Sequence, residues 1–367
     1  MSKEFRILAI NPGATSTKLA VYANAHPLLV RTLRHADAEL EPYKGRPMLE
    51  QFGFRCAVME SELELAGFDL HRFDAAVGRG GLLHGLPSGT YRVNDEMLDE
   101  LKRAERGDHA SNLGAPMVNA IAQHAGCKAY VVDPVSVDEW EPIARLSGTP
   151  LIERPCLSHA LNTKATAKRY AHDHEKRYED LRLVVAHIGS GNTVSAHRDG
   201  RMIDATNSRE EGSFSALRAG ALAAIKLIEL CDTGEMSAKE LERALVAEGG
   251  LKAYLGTSDL TEVEKRIDNG EDKAALVFDA MAYQIAKDIG AMATVLNGEV
   301  DAVLVTGGMA FSARLTKAIC ERVEFIASVH FYPGEDELQA LAEGALRVLT
   351  GEEKAREYGA GATATVL

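Results

Sequence analysis

Between Asn11 and Lys18 the chain carries an amide, three hydroxyls, a glycine and a cation, bracketed by the apolar runs Ile7-Leu8-Ala9-Ile10 and Leu19-Ala20. That pattern predicts strand, polar turn, strand. Such a turn aims backbone N–H groups and donors from Asn11, Thr15, Ser16, Thr17 and Lys18 at anionic oxygen, which is phosphate chemistry. Asn-Pro-Gly also builds ordinary hairpins, so the turn alone does not decide its use. Arg79 and Arg218 supply guanidinium groups that hold a carboxylate or phosphate at two points and meet charge developing during group transfer, or else lie on the surface. Asp133 follows the apolar run Ala129-Tyr130-Val131-Val132 and precedes Pro134, which puts a carboxylate at a strand end, a position suited to a hydrated magnesium ion. His159 and His187, with His109, either position acyl or phosphoryl oxygens or make structural hydrogen bonds. Their spacing does not make a zinc site.

The elements that position these groups alternate between strand and helix. Ala75-Ala76-Val77-Gly78 reads as a short strand opening into the glycine-rich loop from Arg79 to Gly89. Asn94 caps a helix marked by Met97, Leu98 and Leu101. Leu183 to His187 and Thr193 to Ala196 read as strands joined by Gly189-Ser190-Gly191-Asn192, and Phe278, Met281, Ile285, Ile289 and Met292 mark a long amphipathic helix. A strand from Asp301 to Val305 then enters Thr306-Gly307-Gly308, a turn that Asp301 is expected to close. No Gly-x-x-x-x-Gly-Lys-Ser/Thr sequence is present, and no Gly-x-Gly-x-x-Gly follows the first strand, which weakens a dinucleotide-dependent oxidoreductase. Polar hairpins near the start of both halves, Asn11 to Lys18 and His187 to Ser195, suit a duplicated α/β unit with a cleft between the copies.

Length and composition set the frame. With 367 residues, 46% of them hydrophobic, the chain is long enough for two full cores. A formal charge of −13 with no strongly basic stretch argues against general nucleic-acid binding. The start shows no secretory signal pattern and no apolar run of about eighteen residues occurs, so no membrane association and a cytoplasmic protein are expected. Five scattered cysteines fit reduced thiols.

Taken in order, Asn11-Pro12-Gly13-Ala14-Thr15-Ser16-Thr17-Lys18, Gly78-Arg79-Gly80-Gly81, His109-Ala110-Ser111-Asn112-Leu113-Gly114, Ser158-His159-Ala160-Leu161-Asn162, His187-Ile188-Gly189-Ser190-Gly191, Arg218-Ala219-Gly220 and Thr306-Gly307-Gly308 resemble the acetate kinase family, most closely its butyrate kinase branch. The resemblance runs almost end to end. It implies α/β architecture with two ribonuclease-H-like domains of the actin, sugar-kinase and acetate-kinase superfamily and an interdomain active-site cleft. The first domain would span 1–150, completed by 340–367, and the second, with the nucleotide site, 151–339. The implied reaction is reversible phosphoryl transfer between ATP and butanoate, giving butanoyl phosphate and ADP, in a homodimer or larger homo-oligomer. On this chain the resemblance gives Arg79, Asp133, His159, His187 and Arg218 catalytic positions. Asn11, Thr15 to Lys18, Gly189, Ser190, Gly191 and Thr306 to Gly308 become nucleotide positions. Mg²⁺ falls to Asp133 and to Glu337, chosen from the acidic run Glu335-Asp336-Glu337.

Ala14 departs from the family's frequent serine, Ser190 from its asparagine or glycine, and His84 follows the Arg79 loop, either facing the acyl pocket or solvent. A branched acid, propionate or acetate remains an alternative substrate. A non-catalytic nucleotide-binding assembly protein is the remote alternative.

Overall fold

A computed structural model describes residues 3–359; the last residues of the expected C-terminal segment, 360–367, lie outside the described residues. The described residues form two compact units, one comprising residues 3–138 and 336–359 and the other Glu139–Glu335.

In the first unit, β1 (Arg6–Pro12), β2 (Ser16–Ala23), β3 (His26–Arg34), β4 (Ala75–Arg79), β5 (Thr90–Arg92), β6 (Lys128–Val132) and β12 (Arg356–Glu357) form a seven-stranded sheet in the order β12-β5-β6-β4-β1-β2-β3. β1 is buried on both faces, which explains its unbroken apolar run. β3 is the solvated edge and accommodates Pro27 there. Leu8 and Ile10 of β1 pack with Leu19 and Val21 of β2 against Met59 and Leu63 of the helix Phe52–Leu65 and Met117 and Ile121 of the helix Gly114–Ala125. A third helix, Glu337–Thr350, buries Leu338, Leu341 and Ala345.

The second unit contains a five-stranded sheet, β11-β10-β7-β8-β9, made of β7 (Leu183–His187), β8 (Thr193–Arg198), β9 (Arg201–Ala205), β10 (Ala302–Gly307) and β11 (Val329–Pro333). Alternation along β7 sends Val184 and Ala186 to one face and Leu183 and Val185 to the other. The first face packs on the long helix Asp272–Val295 through Phe278, Met281, Ile285 and Ile289. Each such buried side chain contributes about 1.5–3 kcal/mol relative to exposure. The second face packs on Ala167 and Tyr170 of the helix Ala160–Asp173.

Both sheets share one plan. β1, β2 and β3 are antiparallel neighbours, and β4 and then β6 add parallel to β1; β7, β8 and β9 repeat the antiparallel ribbon, and β10 and then β11 add parallel to β7. This is the duplicated α/β unit that the two polar hairpins suggest. The parallel registers pair Ile10 with Gly78, Arg79 with Val132, and His187 with Thr306. Asn11, Arg79 and Asp133 therefore lie at the carboxyl ends of adjacent parallel strands in one unit, and His187, Thr306 and Glu335 at the corresponding ends in the other. Ligands of open α/β sheets bind at such ends.

Candidate active site

In the first unit the β1–β2 turn is closed by Gly13 N–H donating to the Ser16 carbonyl at 2.8 Å. A cavity of about 250 Å³ opens there, lined by Asn11, Ala14, Ser16, Lys18, Arg79 and His109 among others. Glu337, at the start of its helix, accepts hydrogen bonds from Asn11 Nδ2 and Arg79 Nη1. The strand pleat sends Ser16 and Lys18 to the cavity and the intervening Thr17 inward, where its Oγ1 meets His35 Nε2 at 2.9 Å. Thr15 lies exposed at the turn and passes its carbonyl to His35 N–H. Burial, and next the nearby Arg79 cation, lower the His109 pKa, so its imidazole is neutral at pH 7.

Asp133, at the end of the strand beside Arg79, is not among the residues that line that cavity. It is buried, holds a left-handed backbone (φ 37°) and exchanges two hydrogen bonds with Gly89: Gly89 N–H donates to Oδ1 at 2.7 Å, and Asp133 N–H donates to the Gly89 carbonyl at 3.1 Å. The carboxylate thus ties the Arg79–Gly89 loop back to the end of β6. His84, in the same loop, does not line the cavity: it is exposed, and its Nδ1 meets Glu100 Oε1 at 2.7 Å.

In the second unit the rings of His159 and His187 stack with centroids 4.0 Å apart and planes 13° from parallel. His159 Nδ1 lies 2.9 Å from Thr193 Oγ1. His187, 2% exposed, has Nδ1 2.8 Å from Asn162 Oδ1 and Nε2 3.3 Å from Glu335 Oε1. Partners at both ring nitrogens fix the plane of the imidazole. Arg218 lies across Gly191, donates from Nη1 to the Ser208 carbonyl, and has its pKa lowered by burial and then by Arg209. Ser190 is exposed, but its carbonyl accepts from Ser215 Oγ at 2.6 Å. Asn192 Oδ1 accepts the Gly189 N–H at 3.2 Å, which curls the loop.

At the end of β10, Thr306 Oγ1 donates to the Gly334 carbonyl at 3.3 Å, Gly307 adopts φ 95°, and Gly308 faces open space. A side chain at Gly307 would meet the Ile188 backbone, so glycine is required both by φ and by approach. Asp301 does not close this turn. It sits at the other end of β10, where its Oδ2 accepts the Arg182 N–H at 2.7 Å and pins the start of β7.

Two residues escape the sequence reading. Glu335 belongs to the acidic run yet serves His187, while Glu337 serves Arg79. Arg55, fully buried, reaches the β1–β2 turn from the helix Phe52–Leu65. Its signal was a charge on the stripe of Cys56, Met59 and Leu63, all buried.

Comparison with known proteins adds to this geometry. Residues 157–338 match the acetokinase family model. Butyrate kinase 2 of Clostridium acetobutylicum is 48% identical over 356 residues, covering 97% of this chain and 99% of the relative. Porphyromonas gingivalis acetate kinase superposes with a TM-score of 0.75 at 17% identity, covering 93% of this chain and 99% of that one. A propionate kinase from Francisella tularensis subsp. tularensis SCHU S4 superposes with a TM-score of 0.69 at 16% identity, over 92% and 98% of the two chains. The two structural likenesses speak for the fold; near-half identity along almost the entire length of the curated relative goes further, and the chain belongs to the acetokinase family.

Proposed function

We propose that this protein transfers a phosphoryl group reversibly between ATP and butanoate, forming butanoyl phosphate and ADP. The observation that carries the reading is the 48% identity with a butyrate kinase over 97% of the chain. Arg79, His187 and Gly307 at strand ends, with Arg218 against Gly191, support it. A butanoate oxygen attacks the γ-phosphorus, the new O–P bond forms as the bond to the β,γ-bridging oxygen breaks, and ADP departs with that electron pair. The attacking carboxylate is already ionised at neutral pH, so no strong base is needed. The protein's work is positioning and charge compensation.

In this reading Arg79 and Arg218 hold anionic oxygens and meet the charge of the transferring group, and His187, oriented at Nδ1 by Asn162, turns Nε2 to a phosphoryl oxygen that takes the place of Glu335. His159 stacks on His187 and keeps its plane. Asn11, Ser16, Lys18 and the turn backbone take phosphate oxygens, with Thr15 at its rim; Gly189, Ser190, Gly191 and the Thr306 to Gly308 turn leave room for the nucleotide. Thr17 acts from behind the turn.

Among the described residues no group of three or more His, Cys, Asp or Glu is placed to hold a metal ion. Mg²⁺ carried largely by nucleotide phosphates takes only one or two protein carboxylates. Asp133 and Glu337 are hard oxygen donors of the right kind and would hold it. Bound there, it neutralises phosphate charge. Among the described residues no helix is long and apolar enough to cross a membrane. We place the enzyme in the cytoplasm with its nucleotide pool.

Assembly with a second copy is part of the reading. None of residues 221–240 is buried, and Leu222, Ile225 and Ile228 are 49%, 68% and 62% exposed around the helix Ala224–Asp232. Apolar area of this kind marks interaction surfaces. On the same helix Lys226 and Glu229 pair with each other at 2.7 Å.

The test is trapping of acyl phosphate with hydroxylamine, using Mg-ATP and acetate, propionate, butanoate, isobutanoate or isovalerate, and comparing kcat/KM. Highest turnover with butanoate is expected. Preference for a branched acid, propionate or acetate would reassign the acceptor, and no turnover with any acid would favour a non-catalytic nucleotide-binding protein.

A further inference from the structure

Arg55 is 0% exposed, and no carboxylate is among its hydrogen-bond partners in the described residues. Its Nη1 donates to the carbonyls of Gly13 (2.8 Å) and Ser16 (3.0 Å) and to Thr17 Oγ1 (3.2 Å), and Nη2 donates to the Ala14 carbonyl (2.9 Å). Gln51 Oε1 takes the remaining edge, from Nε at 3.0 Å and Nη2 at 2.8 Å. Burial pulls the guanidinium pKa down to about 10, which leaves it charged at neutral pH. A buried cation held by neutral acceptors alone is costly, and an anion nearby offsets that cost.

The peptide plane says where that anion belongs. In a trans peptide the N–H points opposite to the C=O. With the Gly13 and Ala14 carbonyls drawn to Arg55, the N–H groups of Ala14 and Thr15 face away from it. Neither donates to an acceptor among the described residues, and Ala14 lines the cavity with Ser16, Lys18 and Arg79. Successive N–H groups of this kind make an anion-binding concavity.

We propose that Arg55 is a positioning residue of the phosphate site: by gripping three turn carbonyls from behind, it presents the Ala14 and Thr15 N–H groups to a phosphoryl oxygen and places an unneutralised positive charge beneath them. Backbone donors thereby replace the hydroxyl that Ala14 lacks. The inference rests on the phosphoryl-transfer reading above.

Arg55→Lys keeps the charge but cannot span the three carbonyls. Calorimetry with ATP, and initial rates with butanoate in one direction and butanoyl phosphate in the other, are compared with wild type, alongside unfolding midpoints. A folded variant that loses at least tenfold in kcat or in affinity for ATP or butanoyl phosphate, with the KM for butanoate unchanged, bears the proposal out. The ligand that suffers more identifies the phosphate the turn meets. Wild-type kinetics with only a lowered midpoint would overturn it, since a merely structural arginine gives that result. Should Arg55→Lys fail to fold, Gln51→Glu decides: it retains the arginine and its carbonyl bonds while neutralising the charge. ATP affinity falling threefold or more supports the proposal, and unchanged affinity refutes it. If no acid is phosphorylated yet Arg55→Lys still weakens ATP binding, the carboxylate-kinase reading fails and the role of Arg55 stands.

Discussion

Substituting Gly191 by alanine isolates the contribution of Arg218 without touching any charged group. A Cβ built at Gly191 would lie 2.6 Å from Cζ and 2.9 Å from Nε of Arg218. Ordinary van der Waals contact begins near 3.5 Å, so the guanidinium must retreat by about 1 Å. The backbone at Gly191 is not among the positive-φ positions, so alanine brings no conformational strain, and the atoms displaced are the end of a flexible side chain. The fold should hold within about 1 kcal/mol of wild type. Catalysis should not, because misplacement of a reacting or charge-stabilising group by about 1 Å costs on the order of 100-fold, or about 2.7 kcal/mol of barrier. The assay is hydroxamate formation from butanoate with Mg-ATP across both substrate concentrations, with thermal unfolding run in parallel. An intact unfolding curve with kcat down about 100-fold is expected. If kcat and both KM values match wild type while the protein stays folded, the position of Arg218 against the Gly189–Gly191 loop is irrelevant to transfer and its assignment is wrong.

Glu337→Gln leaves Asn11 and Arg79 facing an amide in place of a carboxylate; the Mg²⁺ concentration for half-maximal rate should rise about tenfold. An unchanged magnesium titration would reduce Glu337 to an anchor for Arg79. His197 is fully buried between Tyr178 OH (2.6 Å) and Ser195 Oγ (2.8 Å), and burial, then Lys164, lower its pKa to about 3. The folded state therefore needs the ring neutral. Its stabilisation is complete above the unfolded pKa of 6.5 and declines toward pH 3, by about 2 kcal/mol between pH 6.5 and 5. Denaturant unfolding at pH 7 and pH 5 should show that loss in wild type and a shallower one in His197→Gln; equal slopes would mean His197 protonates without penalty. Ile225→Lys with Ile228→Lys should lower the light-scattering mass to that of one chain, and an unchanged oligomer would move the interface elsewhere.

The chemistry-bearing loops were legible in the sequence because local composition makes them. Asn11 to Lys18 needs a polar turn between apolar runs, Asn94 does cap its helix by accepting the Met97 N–H, and Phe278 to Met292 does line one face of a long helix. Partnerships across many residues left no such mark. Glu335 and Glu337 are two apart in one acidic run, and nothing in their spacing distinguishes the partner of His187 from the partner of Arg79. Residues from Glu139 onward read as a continuation of the first domain, yet Glu139 pairs with the buried Lys164 and Glu141 N–H donates to the Ile203 carbonyl, contacts that only the folded second unit supplies. Asp301 misled for the same reason, since an acid ahead of a glycine turn looks like its cap until the strand between them separates the two. Arg55 marks where a rule of thumb deserves inversion. A charged residue on a buried helical stripe usually signals a mistaken helix phase. Here the phase is right, and the charge is inside because three carbonyls of a turn 39 to 42 positions away in the chain require it.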